Sequence, residues 1–115
     1  MTGVIIQNAI LDYMEKYGQE ESKTIMERVM TSNLFNENVE IACKKRGVFS
    51  ADIINKIVAS SHWKFALGNK RKIYFGSLLF LSAVYSKIEH LGLPLDDEKF
   101  AETLIDIKTN FEKMM

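Results

Sequence analysis

Apolar residues recur along this chain at intervals of three and four, the period of a helix with one buried face. Ile6, Ile10, Tyr13, Met14 and Tyr17 mark a first helix from Gly3 to Tyr17, and Gly18 is placed to end it. A second helix, Glu20 to Thr31, opens on two glutamates that suit the positive end of the helix dipole. Its stripe is Ile25, Met26, Val29 and Met30. A third runs from Asn36, a good N-cap, to Arg46, with Val39, Ala42 and Cys43 as a short apolar face and Gly47 as the stop. A fourth starts at Ser50, where Phe49 and Ile54 form a hydrophobic staple across the cap. Ile53, Ile54, Ile57 and Val58 are expected to face inward. A fifth, Tyr74 to Leu91, is apolar almost all round from Leu78 to Tyr85, the mark of a central buried helix. A sixth is capped by Asp96, with Leu95 and Phe100 as a second staple and Phe100, Leu104, Ile107, Phe111 and Met114 as its stripe.

The stretch SSHWKFALGNKRKIYF, residues 60–75, has two readings. In one, the fourth helix continues to Leu67 and Gly68-Asn69 ends it. In the other, residues 62–75 form a small β-hairpin. A three-residue loop from Gly68 to Lys70 then pairs Trp63 with Phe75 and Phe65 with Ile73, all on one face. That loop needs Lys70 in a conformation that glycine or asparagine would prefer. The predicted fold class is mainly α: a compact single-domain bundle of about six helices over residues 1–115, packed around helix five.

Composition fits this picture. The chain has 115 residues, enough to bury about two-thirds of its unfolded surface without staples. One cysteine, Cys43, leaves no internal disulfide and suits a reducing compartment. The N-terminal stretch lacks the basic start and cleavage site of a secretory signal. The longest apolar run, Ile73 to Tyr85, is shorter than the roughly 18 residues expected of a membrane span. A cytoplasmic protein without membrane contact is expected.

Formal net charge is zero, but its distribution is uneven. Residues 1–40 sum to −4, residues 41–88 to +8, and residues 89–115 to −4. Asymmetry of this kind bears on partners more than on fold. The plainer reading is that the acidic ends fold back and neutralise the basic middle.

Residues 37–61 resemble a helix–turn–helix. A small residue at Cys43, a glycine four positions later at Gly47 and an apolar Ile53 six beyond that match the pattern. Val48 fits as well. Arg46 and Lys56 stand where apolar residues belong, and Ile57 comes one position late. In this reading Lys44, Lys45, Arg46, Lys70, Arg71 and Lys72 hold phosphates, the last three at the tip of a wing. Ser50, Asn55 and Lys56 face the groove. Asp52 at the head of the same helix would repel phosphate. Trp63, Phe65, Tyr74 and Phe75 could stack bases, although packing against helix five explains them more simply.

Catalytic chemistry has little to stand on. His62, His90 and Cys43 are far apart, with no paired ligand spacing. Asp96, Asp97 and Glu98 fit a helix start, and no phosphate-binding glycine loop occurs. The sequence predicts no enzyme, no cofactor and no metal. The function expected first is a small regulator that contacts nucleic acid, DNA rather than RNA, through the basic middle, as a homodimer. The runner-up is a protein-interaction factor: an adaptor, inhibitor, immunity protein or chaperone subunit. Helix six and the N-terminal helix would then supply an interface, and the methionines an adaptable surface.

Overall fold

The side chains from Phe75 to Leu81 are buried without a break, so their helix needs neighbours on every side. The computed structural model, which describes residues 2–45, 50–60 and 70–114, supplies them. Six helices follow in order: α1 Thr2–Tyr17, α2 Gln19–Met30, α3 Asn33–Lys44, α4 Ala51–Ser60, α5 Lys70–His90 and α6 Asp97–Met114. All five others touch α5. The result is a small all-α bundle, and no strand occurs among the described residues.

Ring contacts set the direction of each neighbour. Along α1, Gln7 Nε2 donates to Ser82 Oγ at 3.2 Å, and Tyr13 stacks on Phe75 with centroids 4.2 Å apart. Along α6, Phe100 meets Tyr85 edge-on at 5.2 Å and Phe111 stacks on Tyr74 at 4.2 Å. Both helices therefore run antiparallel to α5, and α1 and α6 lie side by side in the same direction. Phe35 of α3 meets Phe80 edge-on at 5.4 Å. Phe35, Phe75, Phe80 and Phe100 are among the largest fully buried side chains. Burying each contributes on the order of 2–3 kcal/mol.

Several ends form as the residue types dictate. Asp96 Oδ1 accepts from Lys99 N–H at 3.1 Å, and Ser50 Oγ from Ile53 N–H at 3.3 Å. Gly92, at φ 68°, ends α5 with the Leu93 N–H on the Ile88 carbonyl at 3.1 Å. This is the left-handed closure that glycine permits.

Three expectations need correction. The third helix begins at Asn33, not Asn36, because Ser32 is the cap: its Oγ accepts from Phe35 N–H at 3.3 Å. Asn36 instead lies in the first turn, its amide donating to Met30 O at 2.9 Å and Ser32 O at 3.0 Å. The fifth helix begins at Lys70, four residues before Tyr74. Ile73, Tyr74 and Phe75 are therefore helical, not the second strand of a hairpin; residues 61–69, which hold its first strand and the alternative continuation of helix four to Leu67, lie outside the described residues. Helical spacing sets Phe75 on Tyr13 and Tyr74 on Phe111, contacts that an alternating strand would break. Finally, Ile53 is half exposed while Ile54 and Val58 are buried. At 100° per residue, adjacent Ile53 and Ile54 cannot both share one narrow face.

Candidate functional site

The residues expected to hold nucleic acid lie in three places. Lys44 and Lys45 close α3, and both are exposed. Arg46 falls outside the described residues, as do the Gly47 turn, Trp63 and Phe65. Ser50, Asn55 and Lys56 belong to the start and body of α4. Lys70, Arg71 and Lys72 form the first turn of α5, where the expected wing tip would have been.

Their distances and partners matter more than their order. Cys43 Sγ lies 3.9 Å from the Val84 carbonyl, which fixes the end of α3 well along α5. At 1.5 Å per residue, Val84 stands about 20 Å from Arg71 along that helix. The two basic groups therefore occupy different parts of the bundle. Lys44 borders a shallow groove between α3 and α5 that also holds Glu37, Glu40 and Lys87, a surface of mixed sign. Glu40 is bonded to Lys87, and this pairing holds its carboxyl below the usual range.

Arg71 is already engaged. It donates to Glu21 Oε1 at 2.7 Å, and its guanidinium lies 4.6 Å over the Tyr17 ring. An acidic side chain of α2 thus answers one of the expected phosphate contacts. Asn55 accepts from Ser77 Oγ at 2.8 Å, so it faces α5 instead of a groove. Ser50 spends its hydroxyl on the helix cap. Lys72 is half-buried, whereas Lys56 and Lys70 are exposed.

The helix–turn–helix pattern fares unevenly. Cys43 is buried as a close-approach residue should be, but its sulfur contact is with α5. Ile53, the expected anchor of the second helix, is half exposed. Burial pushes the Cys43 thiol up from its ordinary value, which keeps it protonated and a poor nucleophile or metal ligand. Among the described residues, no group of three histidine, cysteine or acidic side chains could hold a metal ion. Nor is any helix among them long and apolar enough to cross a membrane.

Further exposed apolar side chains lie on α1 and α6. Val4, Ile5 and Leu11 on α1 and Ile105 on α6 are 54%, 49%, 58% and 61% exposed. The two helices touch each other. Helical spacing places Val4 and Leu11 on one outward stripe, seven residues apart, with Ile5 turned toward α6. The same helices carry exposed acids: Asp12 and Glu15 on α1, Glu102 and Asp106 on α6. The sequence carried a partial signal for this face, since α1 has apolar residues on both sides of its wheel.

Comparison with known proteins returns no matching family, no matching curated protein and no matching solved structure.

Proposed function

We propose that this protein is a non-enzymatic binding module that holds a protein partner on the face formed by α1 and α6. The observation that carries the reading is the exposure of Val4, Ile5, Leu11 and Ile105 on two touching helices. Exposed large apolar side chains on neighbouring helices lower the free energy of a partner that covers them. Charge narrows the partner. Within α1 the charged residues sum to −1, and within α6 to −2. An isologous contact of this face with itself would set acids against acids. A segment with apolar residues flanked by lysine or arginine fits better.

The test compares recovery of that partner by the native chain, by a Leu11→Ser/Ile105→Ser variant and by Ile53→Ser. Loss with the first variant and retention with the second supports the reading. Equal recovery by all three contradicts it.

Nucleic-acid binding is the second reading, favoured by the exposure of Lys44, Lys45 and Lys70. Fluorescence anisotropy with a mixed-sequence duplex and a single strand, at low and moderate salt, tests it. Binding that weakens steeply with salt and is lost in Lys44→Ala/Lys45→Ala or Lys70→Ala would put this reading first. No binding at low salt removes it.

A further inference from the structure

A recess of about 320 Å³ opens between α1, α5 and α6, at the end of the bundle away from Asp97. That volume lies at the lower end of the roughly 300–1,000 Å³ typical of small-molecule sites. Its walls are aromatic: Tyr13, Tyr17, Tyr74 and Phe111. The last two are nearly parallel, with 5° between their planes, and Tyr13 is only 3% exposed.

The hydroxyl ends of two of these walls are turned into the protein. The hydroxyls of Tyr13 and Tyr17 are buried and have no hydrogen-bond partner among the described residues. The Arg71 guanidinium lies beside the Tyr13 hydroxyl and partly offsets the effect of its burial, and Arg71 Nε is itself buried. A buried donor without an acceptor costs about 1–3 kcal/mol. Burial also pushes the Tyr13 and Tyr74 phenols up to about 12, so both remain O–H donors at neutral pH.

The rim adds charge of both signs: Lys16 and Lys108, Asp12 and Glu112. Asp12 precedes Lys16 by four residues and Lys108 precedes Glu112 by four, the spacing at which helical ion pairs close. Among the described residues, neither pair does. Lys16 Nζ instead sits 5.4 Å over the Tyr17 ring. Aromatic walls and uncancelled charges of both signs at the mouth describe one kind of ligand.

We propose that this recess binds a small aromatic zwitterion, a molecule with a flat apolar body that carries both an ammonium and a carboxylate. The body lies against the aromatic walls. The carboxylate meets Lys16 and Lys108, and the ammonium meets Asp12 and Glu112.

The test is an amide NMR titration of the full chain with L-phenylalanine, phenylacetate and phenethylamine. L-Phenylalanine should displace the resonances of Tyr13, Tyr17, Tyr74 and Phe111 saturably. Each truncated probe should bind about tenfold more weakly, since tenfold corresponds to about 1.4 kcal/mol, within reach of one lost charged contact. Lys108→Ala should weaken L-phenylalanine by about the same factor. No saturable displacement up to about 10 mM, equal binding of the three probes, or displacement elsewhere in the bundle would overturn the proposal. If Lys108→Ala fails to fold, the three probes on the native chain decide the matter alone.

Discussion

The Thr2 hydroxyl donates to the Asp97 carboxylate at 2.7 Å, across 95 positions of sequence. Tyr85 donates to the same carboxylate at 2.9 Å. One acid therefore ties the starts of α1 and α6 to α5. These bonds hold the Asp97 carboxyl below its ordinary value of 3.8, the Thr2 hydroxyl contributing most. A lowered acid stabilises the fold above its unfolded pKa, and that contribution is lost as pH falls through the folded value. Asp97→Asn should lower the melting temperature at neutral pH. The gap from the native chain should shrink as pH drops below about 4. Thermal denaturation across that range checks this, and a gap independent of pH would contradict it.

Gly3 lies against the same Tyr85. A Cβ added there would meet the ring Cε1 at 2.7 Å. The ring is buried and held through its hydroxyl, so it has little room to move. Gly3→Ala gains helix propensity worth up to about 1 kcal/mol. Overpacking costs about 1–3 kcal/mol and should win. Chemical denaturation should show net destabilisation, and a more stable variant would mean that Tyr85 yields.

Tyr13→Phe removes a buried hydroxyl that no described residue accepts from. It should leave stability unchanged or raise it by about 1 kcal/mol. A loss of comparable size would show that the hydroxyl is satisfied in solution. Alkaline titration gives a second reading of the same burial. Tyr13 and Tyr74 are pushed up from 10.0 to about 12. An acid raised by folding contributes stability that is present below its unfolded pKa and is lost as pH rises from 10 through 12. Phenolate absorbance should therefore show some tyrosines ionising late, together with unfolding.

Leu11→Ser and Ile105→Ser remove exposed side chains and should change stability by no more than about 0.5 kcal/mol each. Phe80→Ala, at the centre of the core, should cost about 3–5 kcal/mol. The contrast, measured by denaturation, separates a face that serves binding from one that serves folding. A large loss at Leu11 or Ile105 would place them in the core.

Local chemistry made much of the bundle legible in the sequence. Asp96 and Gly92 act within one turn of their own position, and the apolar run after Ile73 announces a helix covered on all sides. The start of α5 was hidden because Lys70, Arg71 and Lys72 neither cap a helix nor suit the positive end of its dipole. Glu21, 50 positions away, answers Arg71, and no short-range pattern reveals such a partner. Asn36 masked Ser32 for the same reason that both are good caps. Tyr13 and Tyr17 read only as members of a stripe. Their hydroxyls, without a geometric hydrogen-bond partner among the described residues, are buried only once the bundle closes around them.

The most direct measurement places a photo-crosslinking residue at Leu11, at Ile105 and at Lys70 in turn, within cells that make the protein. The cross-linked segment is then read by mass spectrometry. The α1–α6 account predicts one protein adduct shared by Leu11 and Ile105, on a segment with apolar residues flanked by lysine or arginine, and none at Lys70. A nuclease-sensitive adduct at Lys70, with nothing at Leu11 or Ile105, would contradict it.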